Sequence, residues 1–232
     1  MADRAQGFWL EELGEARHFN SWVTDLVAPS IRGDVLEIGC GTGNFTGLLA
    51  RRANSIVAVD LDAEFIATAQ ERWQHDPRIS FRCSDATTQD WEAAFDTIVL
   101  LDILEHIEND VDFLQSLHRA LRPEGTLVIK VPSASWLYGT MDRAIGHHRR
   151  YSKKTLRSTL RRAGWHDRGS FYFNRLGVLG WWLNGRVFQR VTPPAVQVKT
   201  IEMLAPTLRR LERLAPLPFG LSLMQIAVRI SK

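Results

Sequence analysis

A glycine-rich segment between a short apolar strand and a helix constrains the fold of this chain more than any other feature. The run 34–38 (DVLEI) has the pattern of a strand, and Gly39-Cys40-Gly41-Thr42-Gly43 follows it directly. Glycine lets the backbone turn sharply and lets a ligand lie against the main chain. Asp60 ends the next apolar strand, where an acid can accept hydrogen bonds from ribose hydroxyls. The combination predicts a nucleotide-cofactor site at the ends of two parallel strands.

The spacing of the glycines separates two kinds of nucleotide site. A dinucleotide site has the pattern Gly-x-Gly-x-x-Gly and places a pyrophosphate on the helix N-terminus. Here the pattern is Glu-x-Gly-x-Gly-x-Gly, and Glu37 would repel a pyrophosphate. An acid at this position favours a cofactor that carries a positive charge. The alternative reading is that Glu37 is an ordinary carboxylate at the end of a strand.

Strands and helices alternate along the first 132 residues. We predict strands at 34–38, 55–60, 79–82, 95–100 and 126–131. Helices are predicted at 8–28, 44–50, 63–73, 109–121 and 153–163, the fourth of them ended by Pro123 and Gly125. A strand at 169–173, an insert at 174–220 that includes a helix at 201–214, and a strand at 221–230 complete the chain. The pattern predicts an α/β fold with a Rossmann-like, doubly wound seven-stranded sheet, mostly parallel with an antiparallel last strand.

We interpret residues 1–232 as a single domain with four parts. These are an N-terminal helical lid (1–30), a cofactor-binding core (31–132), an acceptor-side loop, helix and insert (133–220) and a final strand (221–232).

Five segments, in this order, resemble the motifs of the class I S-adenosylmethionine-dependent methyltransferases. They are 35–43, 58–62, 83–86, 95–106 and 121–127, so the resemblance covers about residues 30–132. It implies S-adenosyl-L-methionine as the methyl donor and S-adenosyl-L-homocysteine as the product. It also implies that Asp60 holds the ribose diol and Asp85 the adenine amino group. The cofactor site implied in this way comprises Glu37, Gly39, Cys40, Gly41, Gly43, Asp60, Leu61, Asp85, Ala86 and Asp102.

The loop after the fifth strand carries the candidate acceptor residues. Residues 137–151 resemble a narrower bacterial group of these methyltransferases with a Gly-His-x-Arg-Arg-Tyr pattern, in which Tyr is commoner at the position of His148. His147 is the best candidate for a general base because histidine titrates near neutral pH. Tyr151 and His148 are the other catalytic candidates. Tyr138, Arg149 and Arg150 are candidates for substrate binding, since an arginine fork fits a carboxylate or a phosphate. The alternative is that the arginines are solvated and the histidines pack.

Charge is divided unevenly along the chain. Residues 1–140 carry a formal charge of −11, and residues 141–232 carry +14. The basic part predicts contact with something anionic, such as an acceptor or a membrane surface. Two basic or amphipathic helices (153–162 and 201–214) and the Trp181-Trp182 pair suit peripheral contact with an anionic membrane.

The location and the oligomeric state are less constrained by the sequence. The opening residues lack a secretory signal pattern, no apolar run is long enough to span a membrane, and Cys40 and Cys83 alone do not make a zinc site. We therefore expect a cytoplasmic protein with no metal. The sequence leaves the oligomeric state open.

The leading hypothesis is methyl transfer to a small-molecule or lipid-linked acceptor, with an anionic acceptor favoured. An RNA methyltransferase is the alternative, but the fourth motif lacks the Asn/Asp-Pro-Pro-aromatic segment used on exocyclic base amines. A non-catalytic protein with the cofactor fold, binding a membrane or a partner, is a third reading. A nicotinamide oxidoreductase conflicts with Glu37 and with the glycine spacing.

Overall fold

A computed structural model describes residue 14 and residues 16–214 and 217–229 of the chain. Residues 8–13 and 15 of the helix predicted at 8–28, and residue 230 of the strand predicted at 221–230, therefore lie outside the described residues. Within the described part, no helix is long and apolar enough to cross a membrane.

Seven strands form one sheet in the order β3-β2-β1-β4-β5-β7-β6. The strands are β1 (Asp34–Ile38), β2 (Ser55–Asp60), β3 (Ile79–Cys83), β4 (Phe95–Leu101), β5 (Leu121–Pro132), β6 (Trp165–Phe173) and β7 (Ser222–Arg229). Strands β1 to β5 pair in parallel, and β7 pairs antiparallel with both β5 and β6. The predicted fold class, a mostly parallel sheet with an antiparallel last strand, is confirmed.

Helices cover the sheet on both sides. The α-helices are α1 (Arg17–Val27), α2 (Thr46–Leu49), α3 (Ala63–Trp73), α4 (Asp110–Ser116), α5 (Thr140–Ala144), α6 (Lys153–Arg162), α7 (Arg175–Trp182) and α8 (Ala195–Leu214). Short 3-10 turns lie at Ala28–Ser30, Leu104–His106, Leu117–Arg119 and Ser135–Leu137, and a π-helical turn at Leu183–Val187 continues α7.

The central strands are apolar on both faces because helices lie on both faces. Val35 and Leu36 are neighbours on β1, yet each is fully buried and each belongs to a different hydrophobic cluster. The two clusters lie on opposite faces of the sheet, since successive strand side chains point in opposite directions. Packing on both faces of the sheet fixes the position of β1 and therefore of the loop that starts at Gly39.

The site is positioned by the point where the strand order reverses. From β1, the chain next forms β2 on one side and later β4 on the other. In open α/β sheets ligands bind in the crevice outside the carboxyl ends of the strands at such a point. The ends of β1, β2 and β4 are therefore the place to look for a site.

Five predicted elements are wrong in their bounds. The helix predicted at 109–121 is replaced by α4, which ends at Ser116, and by the following 3-10 turn. The strand predicted at 169–173 begins earlier, at Trp165, which pairs with Arg229 of β7. The strand predicted at 126–131 also begins earlier, at Leu121, which pairs with Phe95. The pairing shifts register after Phe95, and such a bulge accommodates Pro123 inside the strand. The helix predicted at 44–50 is shorter in the structure, where α2 covers Thr46–Leu49. The helix predicted at 201–214 starts earlier, at Ala195.

Candidate active site

A cavity of ≈ 780 Å³ opens at the carboxyl ends of the central strands. This volume lies within the range of small-molecule sites. The predicted cofactor residues in its wall are Gly39, Cys40, Gly41, Asp60, Leu61, Asp85, Ala86 and Asp102. The sheet thus brings together side chains and backbone from four separate strand ends.

The loop after β1 needs glycine for both its conformation and its packing. Gly39 and Gly41 have φ values of 73° and 53°, in the left-handed region that favours glycine. A Cβ on Gly39 would also lie only 1.9 Å from Ile103 Cδ1. The N–H groups of Gly39 and Cys40 donate to Val59 O at 2.8 and 3.1 Å, which ties the loop to β2.

Asp60 holds this loop from the next strand. One carboxylate oxygen accepts the Gly41 N–H at 2.8 Å, and the other accepts the Asp62 N–H at 3.0 Å. The Asp62 side chain in turn caps α3 by accepting from the backbone of Glu64 and Phe65. Asp60 is therefore fixed in the cavity wall before any ligand arrives.

The remaining predicted cofactor acids lie at the ends of β3 and β4. Asp85 accepts from the N–H and hydroxyl of Thr87 at 2.8 and 2.7 Å. Asp102 has a φ of 57° and pairs with the buried ammonium of Lys130. With Asp60, these acids place several carboxylates in a largely apolar wall. Such hydrogen-bond acceptors with negative charge fit a nucleoside that carries hydroxyl groups and a positive charge.

Glu37 and Gly43 lie outside the cavity wall. Glu37 is buried and accepts a hydrogen bond from the Thr46 hydroxyl at 2.6 Å. Burial raises its pKa to about 7, and the neighbouring charge of Asp60 adds to the effect. Glu37 can therefore act on a ligand only through its field. Gly43 has a packing role, since its carbonyl accepts from Trp73 Nε1 at 2.9 Å.

Asp142 is the centre of the hydrogen-bond network on the acceptor side. It is fully buried, and Oδ1 accepts from His147 Nδ1 at 3.0 Å and from Arg150 Nε at 2.7 Å. Oδ2 accepts from Gly139 N at 3.0 Å and from Trp181 Nε1 at 3.1 Å. Although burial acts to raise its pKa, the bonds from His147 and Arg150 leave the pKa of Asp142 below its usual value.

This network sets the tautomer of His147. A carboxylate only accepts, so Nδ1 of His147 carries the hydrogen and Nε2 is left with a lone pair. Nε2 lies 3.7 Å from Glu105 Oε1, and both residues are in the cavity wall. The arrangement can take a proton from an acceptor at Nε2.

Glu105, His106 and Arg150 add buried polar groups to this end of the cavity. Among the described residues, neither Glu105 oxygen has a hydrogen-bond partner, and the same holds for Arg150 Nη2. Burial, with the charge of Asp102, raises the pKa of Glu105 well above its usual value. Burial also lowers the pKa of His106 to about 4, helped by His147. The raised pKa favours the protonated form of Glu105, and at neutral pH we expect a neutral His106.

The same cluster has the spacing of metal ligands. Glu105, His106 and His147 each offer one ligand atom, and these atoms lie within 4.8 Å of one another. The absence of a metal, expected from the sequence, stays a prediction.

Four predicted acceptor residues lie outside the cavity wall. The Tyr138 hydroxyl donates to His147 O at 2.7 Å, and the backbone N–H of His148 donates to Glu105 O at 2.8 Å. Arg149 pairs with Asp110 at 3.0 Å, and the buried Tyr151 hydroxyl donates to the same carboxylate at 2.9 Å. Their contacts support the loop, so their position gives no support to a direct role in binding or catalysis.

Several wall residues are not among the site residues predicted from the sequence. Trp181 stacks under the Arg150 guanidinium, with 4.5 Å from its central carbon to the ring centroid. Further wall residues come from the insert and from α1: Phe19, Asn174, Gly177, Gly180, Pro193, Gln197 and Ile201. The Gly-His-x-Arg-Arg-Tyr resemblance pointed to the right loop, but no spacing rule links that loop to Trp181.

Comparison with known protein families gives a match for the central part of the chain. Residues 36–129 match the family described as a methyltransferase domain.

Two curated relatives match about half of this chain. The ubiquinone biosynthesis O-methyltransferase, mitochondrial, of Rattus norvegicus is 32% identical over an alignment of 145 residues, and the match covers 52% of this chain and 42% of that protein. An uncharacterized methyltransferase of Mycobacterium bovis is 33% identical over 112 residues, which are 48% of this chain and 56% of that protein. The chain thus spans only about half the length of these relatives.

The solved structures extend the likeness of fold to the rest of the chain. The Burkholderia thailandensis 1,6-didemethyltoxoflavin-N1-methyltransferase, solved with its substrate and S-adenosylhomocysteine, has a TM-score of 0.62 and 21% identity. The match covers 99% of this chain and 84% of that one. At this identity the likeness concerns the fold alone, and it includes the insert and the final strand.

Proposed function

We propose that this chain transfers a methyl group from S-adenosylmethionine to a small-molecule acceptor, on the premise that residues 36–129, which match the methyltransferase-domain family, bind this donor. The observation that carries the proposal is the cavity shared by two kinds of group. Asp60 and the glycine loop form one part of its wall, and His147 with Arg150 forms another. Methyl transfer needs both a donor and an acceptor within one enclosed space.

The cofactor end of the cavity binds and orients. When bound, S-adenosylmethionine supplies a methyl group activated by a sulfonium. Asp60 is the group proposed to accept from the ribose hydroxyls, and Asp85, with the backbone at Ala86, is proposed to hold the adenine. Leu61 is 75% exposed beside Asp60 and offers an apolar cover for the same nucleoside. The field of Glu37 favours the positive charge.

His147 is the proposed general base. Its Nε2 lone pair lies in the cavity wall, and Asp142 holds the opposite ring nitrogen. When His147 takes a proton from an acceptor hydroxyl or ammonium, the Asp142 carboxylate stabilises the imidazolium that forms. Asp142 acts through His147 and is therefore a positioning residue.

Arg150 supports an anionic acceptor. Asp142 and Ser133 occupy its Nε and Nη1, while Nη2 has no hydrogen-bond partner among the described residues. The Arg150 side chain lines the cavity but has no exposed surface, so it acts on a ligand through its positive charge, which favours a carboxylate or a phosphate. We extend the proposal to an acceptor, soluble or lipid-linked, with such a group.

Thermal unfolding with two ligands tests the cofactor assignment. S-adenosylhomocysteine at about 100 times its Kd should stabilise the chain by about 2.7 kcal/mol, and NAD should not. Asp60→Ala should weaken binding of S-adenosylhomocysteine at least tenfold, whereas Asp112→Ala, at an exposed acid on α4, should not change it. Equal stabilisation by NAD, or full affinity in Asp60→Ala, would refute the assignment.

A further inference from the structure

Exposed apolar side chains are concentrated in the insert. Among the described residues, every large apolar side chain that is exposed lies between 176 and 219, apart from Leu61 and Trp136. Scattered exposed apolar residues need no explanation, but such a concentration in one part of a chain marks an interaction surface.

Helix α7 has one side on the cavity and another in solvent. Gly177, Gly180 and Trp181 contribute to the cavity wall. Leu176, Leu179 and Trp182 follow the spacing of one helical face, and they are 41%, 55% and 41% exposed. Whatever covers the outer side of α7 therefore lies one helix away from the cavity.

The chain after α7 continues the same surface. Residues 186–191, which we name the insert tip, are all exposed. Val187, Phe188 and Val191 alternate there with arginines, and Phe188 is 59% exposed. The backbone of the tip is anchored, since the N–H groups of Phe188 and Arg190 donate to Leu183 O and Asn184 O, each at 2.8 Å. The Thr140 hydroxyl also lies 2.5 Å from Arg190 O, within hydrogen-bond distance. The insert tip thus exposes apolar and cationic side chains on a backbone that hydrogen bonds hold in place.

Charge selects the kind of partner. Residues 175–201 contain four basic residues, Arg175, Arg186, Arg190 and Lys199, and no acidic residue. Apolar side chains interspersed with arginine suit the headgroup region of an anionic bilayer, where rings enter the interface and cations meet lipid phosphates. A protein partner would need acidic groups matched to these cations around an apolar centre, whereas an anionic bilayer offers phosphates over its whole surface.

We propose that the outer side of α7 and the insert tip dock on an anionic membrane. The surface keeps Trp182 of the predicted tryptophan pair but does not include the two predicted helices, 153–162 and 201–214. This inference rests on the proposed function, because it gives an acceptor that resides in a bilayer a route to a cavity that shares α7. The outer side of α7 and the insert tip would present a lipid-linked acceptor to His147 and Arg150.

Vesicle flotation of the full chain tests this docking. The probes are vesicles of phosphatidylcholine alone and vesicles with about one third phosphatidylglycerol. We expect binding to the second kind only, with a bound fraction that falls as salt rises. Arg186→Glu with Arg190→Glu should lower the partition coefficient at least tenfold. The matched control, Arg51→Glu with Arg52→Glu, changes the charge equally at two exposed residues of the cofactor half and should keep binding within twofold.

The apolar contribution has its own variant. Val187→Ser with Phe188→Ser should also lower the partition coefficient at least fivefold, since both side chains are exposed and neither contributes to the cavity wall. Stabilisation by S-adenosylhomocysteine is measured on every variant and should be unchanged, which shows that the fold and the cofactor site remain intact.

Each result decides between docking and its alternatives. Equal binding to both kinds of vesicle, or undiminished binding of the tip variants, would overturn the proposal. So would a stable dimer that Val187→Ser with Phe188→Ser dissociates, because the surface would then be an interface between two copies. Loss of S-adenosylhomocysteine binding with intact flotation would instead count against the proposed function.

Discussion

The affinity for S-adenosylmethionine should rise with pH because of one buried acid, Glu37. Its pKa of about 7 in the free chain means that the carboxyl group is about half protonated at neutral pH. A cationic cofactor favours the ionised carboxylate, so binding expels the proton. We therefore expect tighter binding as pH rises through 7.

The magnitude follows from the fraction of ionised Glu37. With a pKa of about 7, this fraction increases about tenfold between pH 6 and pH 8, which corresponds to about 1.4 kcal/mol of binding free energy. About half a proton should leave the complex for each cofactor bound at pH 7. Glu37→Gln keeps an oxygen for the Thr46 hydroxyl and removes the titration, so its affinity should not change over this range.

Isothermal titration calorimetry measures both quantities. Kd for S-adenosylmethionine is determined at pH 6 and pH 8, and the proton release at pH 7 is obtained from buffers with different ionisation enthalpies. The same measurements on Glu37→Gln separate this acid from every other titrating group. A flat affinity in the wild type, or the same pH dependence in Glu37→Gln, would refute the reasoning.

Three further predictions concern stability and turnover. Because the pKa of Glu37 is raised on folding, its contribution to stability is present below pH 4.5 and is lost as pH rises through 7. In the absence of cofactor, Glu37→Gln should therefore gain about 2–3 kcal/mol on the wild type between pH 5 and pH 8 in urea unfolding; no gain would contradict the burial of a charge. Gly39→Ala should cost about 2–4 kcal/mol in the same assay, since φ is 73° and the new Cβ would meet Ile103; an unchanged midpoint would show that the loop has another conformation. Asp142→Asn should lower turnover about a hundredfold with unchanged affinity for S-adenosylhomocysteine, and Asp112→Asn should lower neither; equal turnover in the two variants would remove Asp142 from the account.

The cofactor half could be predicted from the sequence because its signals are local. Strand β1, the glycine loop and Asp60 lie within 27 residues, and each has a physical reason that a short window reveals. The bounds of β5 were missed for the opposite reason. Pro123 and Gly125 indicate a turn locally, and only the pairing of Leu121 with Phe95 shows that the strand has already begun.

The acceptor half could not be predicted in the same way, because its contacts join residues that lie far apart in the sequence. Asp142 is the centre of its network because Trp181, 39 residues later, donates to it. Arg149 and Arg150 are neighbours with the same chemistry, yet Arg149 turns to Asp110 and only Arg150 reaches the cavity wall. Which of two adjacent arginines reaches the cavity wall is decided by packing, and periodicity cannot reveal it.

The structure locates the basic residues that make the charge of residues 141–232 positive. The basic part contains one buried guanidinium in the cavity, Arg150, and exposed cations on the insert tip, Arg186 and Arg190. The first is suited to an anionic acceptor and the others to an anionic surface. These two roles can be separated by mutation.

Transfer of a labelled methyl group tests the central claim most directly. The chain is incubated with S-adenosylmethionine labelled in the methyl group and with separate small-molecule, lipid and RNA fractions of a cell extract. We expect label in the small-molecule or lipid fraction. In His147→Ala this transfer should be lost while binding of S-adenosylhomocysteine persists. Label in RNA alone, transfer into no fraction, or full transfer by His147→Ala would contradict it.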